Sequence, residues 1–219
     1  MTLGFLTIGQ SPRTDITSDL PESLRSLKIL EAGALDDLTT EQIDSLKPTA
    51  SETLYVSRLR NGSEVMLAKE RLVPVLEEKV RLLRRDGVES IVLLCSGKLE
   101  LEPQGGIIFP SRILERAVQS LLDGKGRLGV LVPEEAQVRD AVEAWSTFAE
   151  DIKALSYNPY VDSIDSLRVS AKAFADRDLI VLDCIGYSSD HRKIVRTSSG
   201  KPVTSARTIT FRFLEELFT

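Results

Sequence analysis

The chain has 219 residues, of which 42% are hydrophobic and 28% are charged, and its formal net charge is −5. This length and composition suit one large domain or two small ones with ample core, and they exclude the disordered and fibrous classes. The acidic balance argues against nucleic acid or an anionic membrane as the main partner, although single basic residues could still line a local anion site.

Cysteine and histidine are scarce. Two cysteines do not form a disulfide framework, which predicts a cytoplasmic protein. One histidine and two distant cysteines lack zinc-ligand spacing, so we expect no metal. The N-terminus has no basic region before a longer apolar segment, and no apolar run is long enough to span a bilayer, so we predict neither a signal peptide nor a membrane protein.

The first predicted strand, Leu3 to Ile8, ends at Gly9 and leads through a polar loop into a helix with Pro12 in its first turn. Gly9, Ser11 and Arg13 form a candidate anion site. Backbone N–H groups at a helix start favour negative charge, and arginine can grip a carboxylate with two parallel hydrogen bonds. An ordinary helix start, with Ser11 as the cap and a solvated arginine, explains the same residues.

The next segments alternate between strand and helix patterns. We predict a strand over 28–34 and a short helix over 39–48. A hairpin with an Asn-Gly turn follows over 53–67, and an amphipathic helix over 69–86 is stopped by Gly87. Arg58 falls near the end of the first hairpin strand, where it is either a ligand-binding residue or an exposed charge on a hairpin edge.

The apolar run from Ser90 to Leu94 is followed by Cys95, Ser96 and Gly97. It predicts a strand that is covered on both faces, as in a parallel sheet. A loop over 98–106, a short strand over 107–109 and a helix over 110–122 come next. Ser111 and Arg112 follow Pro110 at the start of that helix and repeat the Pro/Ser/Arg composition of the first loop, again as either an anion site or a helix entry.

The second half repeats the alternation. We predict strands over 128–132, 152–155, 179–182 and 201–203, and helices beginning at Pro133, over 162–175, and over 206–218. The strand over 179–182 leads into Asp183 and Cys184, with Gly186 and Tyr187 after them. His191 falls in or near the start of a further helix.

Strands that alternate with helices imply a parallel sheet, and the order strand, helix, strand, helix, cysteine strand occurs in both halves. We therefore predict two similar α/β units whose boundary falls near residues 110–126. The N-terminal lobe covers residues 1–112 and is joined by the closing helix 206–219, and the C-terminal lobe covers residues 113–205.

Each half ends a central strand on a cysteine that is followed two residues later by glycine. Ligands bind at the carboxyl ends of strands in open α/β sheets, which makes Cys95 and Cys184 candidate catalytic residues. A single free cysteine is more often a small core residue, and that interpretation stays open for both.

If the two units face each other, two thiols can act on opposite sides of one substrate carbon. One thiolate removes a proton and the other thiol returns one, which inverts a stereocentre without a cofactor. The same parts suit cis-trans isomerisation or decarboxylation. The developing enolate needs donors, and Ser11, Arg13, Ser96 and Arg112 with nearby backbone N–H groups could supply them. Asp183 would oppose ionisation of Cys184 unless its side chain points to the other strand face.

Three segments together resemble the AroM family: Thr7 to Arg13, Pro110 to Arg112, and Leu182 to Tyr187. That family looks like a branch of the aspartate/glutamate racemase superfamily, which includes glutamate, aspartate and hydantoin racemases, maleate isomerase and arylmalonate decarboxylase. The resemblance implies an α/β fold of two pseudo-symmetric flavodoxin-like lobes with parallel sheets and the active site in the cleft between them.

The resemblance also implies that Cys95 and Cys184 are the catalytic pair and that the Ser11 loop holds a substrate carboxylate. Ile185 stands where the racemases usually carry threonine. The candidate substrate-binding residues are those of the strand-end loops, with Arg58: Gly9, Gln10, Ser11, Arg13, Arg58, Ser96, Gly97, Ser111, Arg112, Gly186 and Tyr187.

The residues leave two functions open. The first is a cofactor-independent racemase, isomerase or decarboxylase that acts next to a carboxylate. The second is an anion-binding or regulatory protein that kept the cleft and lost the chemistry, which Ile185 motivates. The expected ligand is a small carboxylate. Arg13, Arg58 and Arg112 are more than an amino-acid racemase needs, and their number suggests a dicarboxylate or a phosphate. A homodimer is a further expectation for lobes of this kind, although no exposed apolar stripe stands out.

Overall fold

The computed structural model describes residues 2–102 and 105–219. Its contacts divide the chain into a first unit, which ends at Phe109 and includes Phe218–Thr219, and a second unit, Pro110–Leu217. Most of the closing helix therefore groups with the second unit, and its predicted packing on the N-terminal lobe stays a prediction. Pro103 and Gln104, in the loop predicted over 98–106, lie outside the described residues.

The strands of the described residues fall near the predicted bounds. They are β1 (Thr2–Thr7), β2 (Lys28–Gly33), β3 (Leu54–Arg58), β4 (Glu64–Ala68), β5 (Ser90–Leu94), β6 (Ile107–Ile108), β7 (Arg127–Val132), β8 (Asp151–Ser156), β9 (Leu179–Leu182) and β10 (Val203–Ser205). The last strand lies two residues beyond its predicted start.

The helices follow the predicted alternation. They are α1 (Thr14–Thr17), α2 (Glu22–Arg25), α3 (Thr40–Ser45), α4 (Lys69–Arg85), α5 (Pro110–Leu122), α6 (Val138–Trp145), α7 (Ile164–Lys172), α8 (Ser189–Ser199) and α9 (Ala206–Phe218). The helix predicted from Pro133 begins later, because Glu135–Gln137 forms a separate 3-10 turn before α6. The short helix α2 is absent from the sequence prediction.

Both units contain a parallel sheet, as predicted. The first has the strand order β2-β1-β5-β6 and the second has the order β8-β7-β9-β10. Strands β5 and β9 each have neighbours on both sides, and every residue of β9 is buried. The apolar runs before the two cysteines are therefore interior strands with both faces covered, which is why they lack polar alternation.

The first unit carries an addition that the second lacks in the corresponding part of the described chain. Strands β3 and β4 form an antiparallel hairpin, with Arg58 opposite Glu64 beside the turn. The Asn-Gly signal predicted this hairpin, and its position between α3 and α4 brings Arg58 to the loop after β1.

Candidate functional site

The two cysteine loops share one local geometry. Cys95 directly follows β5, and its Sγ accepts a hydrogen bond from the Gly97 N–H at 3.3 Å. Cys184 follows β9 by two residues, and its Sγ accepts from the Gly186 N–H, also at 3.3 Å. Each cysteine is 7% exposed. A backbone donor aimed at sulfur favours a thiolate over a thiol, whereas burial opposes ionisation.

A tyrosine lies against the glycine of each cysteine loop. A Cβ atom on Gly97 would lie 2.6 Å from the Tyr55 ring, and one on Gly186 would lie 2.5 Å from the Tyr160 hydroxyl. Only glycine therefore fits between the sulfur and the tyrosine at either place. Sequence reasoning did not identify these two tyrosines, because their contact with the loops depends on tertiary packing.

Asp183, the neighbour of Cys184, is hydrogen-bonded to a tryptophan. The indole N–H of Trp145, on α6, donates to Asp183 Oδ2 at 2.9 Å. Cys184 instead belongs to a core cluster that contains Leu182 and Tyr187. The predicted alternation of the Asp183 and Cys184 side chains stays a prediction, since both residues follow the end of β9.

Tyr187, a predicted substrate-binding residue, lies in the core of the second unit. It is fully buried, and its hydroxyl donates to the Tyr157 carbonyl at 2.6 Å. Burial, followed by the nearby charges of Cys184 and Asp183, raises the pKa of Tyr187 well above its ordinary value. The neutral phenol packs in the same core cluster as Cys184.

His191 caps a helix. Its Nδ1 accepts from the Ser188 N–H at 3.1 Å, while its own N–H donates to Ser188 Oγ at 3.2 Å. This reciprocal pair is a capping box at the start of α8. Because Nδ1 accepts, we assign the neutral ring proton to Nε2. The ring also contacts Tyr157 and Tyr187 edge-on.

Arg207 is a buried cation beside the Cys184 loop, and the sequence analysis missed it. Its side chain lies in the second position of α9, and the residue is 2% exposed. Nε donates to the Ile185 carbonyl at 2.8 Å and Nη2 donates to the Gly186 carbonyl at 2.7 Å. A positive charge in the first turn opposes the helix dipole, and that unfavourable placement is the sequence signal that could have identified it.

In the first unit, Arg13 is buried and already paired. Its Nε and Nη2 donate to the two carboxylate oxygens of Asp15 at 2.9 and 2.8 Å. Nη1 donates to the hydroxyls of Thr7 and Ser57. The two-pronged grip that the sequence predicted for a substrate carboxylate is thus made with Asp15. Helix α1 begins at Thr14, so Pro12 precedes the first turn, and no side chain caps this helix.

Ser11 is held by an acid that the sequence analysis did not consider. Asp36 accepts from the Ser11 backbone N–H at 2.7 Å and from its hydroxyl at 2.6 Å. The same carboxylate accepts from the Gly33 N–H at 2.7 Å and from Arg60 at 3.1 Å. This network fixes the loop between β1 and α1.

The hairpin contributes the remaining contacts of that loop. The Gln10 N–H donates to the Arg58 carbonyl, and Gln10 Oε1 accepts from the Arg60 N–H at 2.8 Å. A Cβ on Gly9 would lie 2.3 Å from the Arg58 carbonyl oxygen. The Arg58 guanidinium donates to the Gly62 carbonyl and lies 4.0 Å from Asp15.

The structure thus gathers Gly9, Gln10, Ser11, Arg13 and Arg58 into one hydrogen-bonded cluster in the first unit. Ser96 and Gly97 accompany Cys95 in the same unit, and Ser96 is half-buried. In the second unit Gly186 and Tyr187 accompany Cys184. Ser111 is buried at the second position of α5, and Arg112 is exposed beside it.

Membrane spans and metal clusters are both missing from the described residues. No helix within 2–102 and 105–219 is both long and apolar enough to cross a bilayer. In the same part of the chain, no group of three or more histidine, cysteine, aspartate and glutamate side chains is arranged to hold a metal ion.

The fold occurs in solved enzymes. Over 99% of this chain and 87% of the other, the structure is similar to allantoin racemase from Klebsiella pneumoniae, with 13% identity and a TM-score of 0.62. A maleate cis-trans isomerase mutant from Nocardia farcinica, which carries a covalently bound succinylcysteine intermediate, matches over 99% of this chain and 92% of its own, with 14% identity and a TM-score of 0.60. Glutamate racemase from Aquifex pyrophilus matches over 100% of this chain and 84% of its own, with 14% identity and a TM-score of 0.58.

No curated protein matches the sequence. The family model described as AroM protein matches residues 3–218, which is nearly the whole chain. This chain therefore belongs to the AroM family, and its fold is that of the aspartate/glutamate racemase superfamily.

Proposed function

We propose that this protein is an enzyme that moves a proton at the carbon next to a carboxylate of a small acid, using Cys184 and Cys95 and no cofactor. The observation that carries the proposal is the shared geometry of the two thiols. Both lie at the carboxyl end of an interior strand, and both accept a backbone N–H two residues later at 3.3 Å. Two core cysteines would need no such matched donors.

The proposed reaction balances with these two groups. One cysteine thiolate takes the proton from the substrate carbon, and the bonding electrons move into the adjacent carboxylate to form an enolate. The other cysteine, as a thiol, returns a proton to the carbon and becomes the thiolate. Return to the opposite face inverts the centre, which is racemisation, and each thiol must regain its starting protonation state before the next turnover.

The loop after β5 offers a donor for the substrate carboxylate and the enolate, whereas the Ser11 hydroxyl and the backbone N–H groups of Gly9, Gln10 and Ser11 already donate within the protein. Ser96 is half-buried beside Cys95, and its hydroxyl is a donor of the required kind. Arg13 is compensated by Asp15, so we assign carboxylate recognition to the Ser96 hydroxyl rather than to this guanidinium. This favours a small carboxylate over a dicarboxylate or a phosphate.

The similar enzymes support this class of reaction. The named activities of the similar structures are racemisation of allantoin and glutamate and cis-trans isomerisation of maleate. The isomerase structure carries a cysteine bonded to a succinyl group, which supports a second role for cysteine as a nucleophile.

One observation favours a second function, binding of an anion without turnover. Ile185 follows Cys184, and an apolar side chain supplies no donor at that position. A protein that retains the loops but lacks this donor would bind a small carboxylate and leave its carbon–hydrogen bond intact.

Exchange with solvent deuterium tests the proposal. The protein is incubated in heavy water with amino acids, hydroxy acids and dicarboxylates, and loss of the α-proton is followed by NMR. The expected result is exchange on one class of acid that disappears in both Cys95→Ser and Cys184→Ser. Circular dichroism and the melting temperature of each variant show that the fold is retained.

The outcomes separate the two functions. Exchange that survives in both variants would overturn the cysteine mechanism. Absence of exchange on every acid, together with a rise in melting temperature on addition of one of them, would replace the proposal with the binding function, since a ligand that binds the folded state raises its stability.

A further inference from the structure

The two units have the same strand order, so their edge strands correspond. Strand β6 leads directly towards α5, and β10 leads directly into α9. Each of these helices has 13 residues. The second residue is Ser111 in α5 and Arg207 in α9. The two units therefore differ at this position, where the second unit has a buried arginine and the first has a serine.

A single peptide group connects Arg207 to Cys184. The carbonyl of Ile185 accepts from Arg207 Nε at 2.8 Å. The N–H of the same peptide group belongs to Gly186 and donates to Cys184 Sγ at 3.3 Å. A cation hydrogen-bonded to the carbonyl oxygen polarises the peptide and strengthens its N–H as a donor. The stronger donor stabilises negative charge on the sulfur.

The first loop lacks this support. The peptide group between Ser96 and Gly97 takes the corresponding place, since its N–H donates to Cys95 Sγ at 3.3 Å. Among residues 2–102 and 105–219, no donor reaches the Ser96 carbonyl. The two sulfurs therefore receive similar hydrogen bonds from differently polarised peptides.

The other ionisable groups around Cys184 do not supply the same effect. Asp183 is held by Trp145, and its negative charge would disfavour a thiolate. The buried phenols of Tyr187 and Tyr157 are neutral at physiological pH, because burial raises the pKa of each. Tyr160 lies against Gly186, and His191 accepts at Nδ1 in the capping box of α8. Arg207, in contrast, is a cation that directly contacts the loop.

We infer that Arg207 is a positioning residue that favours the thiolate of Cys184, so that the resting protein holds Cys184 as the base and Cys95 as the protonated acid. The inference rests on the proposed function for the roles of base and acid. It goes beyond that function by assigning a different resting protonation state to each of the two thiols.

The test measures alkylation by iodoacetamide as a function of pH, because the thiolate is the reactive form. Cys95→Ser leaves Cys184 as the reacting thiol, and Cys184→Ser leaves Cys95. Mass spectrometry identifies the labelled residue. The expected result is a pKa for Cys184 at least about one unit below that of Cys95, since neighbouring cations and backbone donors lower thiol pKa values.

Arg207→Gln in the Cys95→Ser background should raise the pKa of Cys184 by about one unit, and Arg207→Lys should restore part of the difference because it retains the charge. Arg212→Gln, on the exposed face of the same helix and paired with Glu215, is the matched control and should leave the profile unchanged. Arg207→Gln that folds but does not move the pKa of Cys184 would overturn the inference.

Two comparisons do not depend on the folding of Arg207→Gln or on turnover. Equal pKa values for Cys184 and Cys95 would overturn the inference even if Arg207→Gln did not fold, because that comparison leaves Arg207 in place. Alkylation requires no turnover, so a failed deuterium-exchange experiment would remove the proposed reaction without altering the result for Arg207.

Discussion

Asp36 accepts both the backbone N–H and the hydroxyl of Ser11, at 2.7 and 2.6 Å. The two residues are 25 positions apart, and the pair joins the loop after β1 to the turn after β2. The conformation of the candidate substrate loop is therefore stabilised by a carboxylate from the turn after β2.

Asp36→Asn should destabilise the protein and disturb this loop. The amide keeps one acceptor oxygen and places a donor group where the carboxylate accepts from Ser11 or Gly33. We expect the free energy of unfolding to fall by about 1.5–3 kcal/mol, the range for hydrogen bonds to charged groups. Urea denaturation measures the change.

Asp44→Asn is the control for Asp36→Asn. Asp44 forms an exposed pair with Lys47, so its replacement should change the free energy of unfolding by less than about 0.5 kcal/mol. Equal stability of the two variants would show that the Asp36 network contributes little to holding the loop.

Asp15→Asn should leave the buried Arg13 without its carboxylate partner. We expect a loss of about 1.5–3 kcal/mol in the free energy of unfolding, because two charge-assisted hydrogen bonds of 2.9 and 2.8 Å are weakened and Asp15 is partly exposed. The guanidinium should then accept an external anion. Inorganic phosphate should raise the melting temperature of this variant more than that of the wild-type protein. Equal responses to phosphate would contradict the view that Asp15 occupies the anion-binding face of Arg13.

The fold was largely predictable because the strands and helices carry strong local signals. The apolar runs before Cys95 and Cys184 indicated interior parallel strands, and the Asn-Gly turn indicated the hairpin; the structure confirms all three. The equal spacing from cysteine to glycine in the two halves also pointed to equivalent loops, which the two 3.3 Å hydrogen bonds share.

The partners of the candidate site were harder to predict, since they come from distant parts of the chain. Asp36 reaches Ser11 across 25 residues, and Arg207 reaches Gly186 across 21. Arg13 looked available for a ligand because a sequence does not reveal that Asp15, two residues later, folds back onto it. Charge balance inside a loop is a tertiary property, and it determines whether an arginine remains free for substrate.

Asp176 gives a prediction for the dependence of stability on pH. Its hydrogen bond from Arg177 holds the pKa of Asp176 at about 2, below the ordinary 3.8. The unfolded state therefore binds more protons between those values, and stability falls as the pH drops from about 4 towards about 2. Replacement by asparagine removes this contribution. The difference in melting temperature between wild type and Asp176→Asn should be largest above pH 4 and should shrink towards pH 2. A difference that stays constant over this range would contradict the assignment.

The tyrosines beside the cysteine loops give a paired prediction. In Gly186→Ala the new methyl group meets the Tyr160 hydroxyl at 2.5 Å, whereas in Gly97→Ala it meets ring carbons of Tyr55 at 2.6 Å. Each substitution should cost about 1–3 kcal/mol, as expected for overpacking, and should shift the donor that supports the sulfur. Melting temperature and the alkylation rate of the adjacent cysteine report the two effects.

Removal of the hydroxyl should distinguish the two loops. Tyr160→Phe should rescue Gly186→Ala only in part, because it deletes the hydroxyl oxygen at 2.5 Å but leaves the ring carbon Cζ at 2.7 Å and Pro159 at 2.9 Å. Tyr55→Phe should not rescue Gly97→Ala, because the ring carbons that clash remain. Tyr55→Phe alone serves as the control for loss of the bond from Tyr55 to the Lys98 carbonyl. Equal rescue in both loops would mean that the backbone relaxes around the methyl group, and that the close contact between tyrosine and glycine does not fix the position of the N–H donor to sulfur.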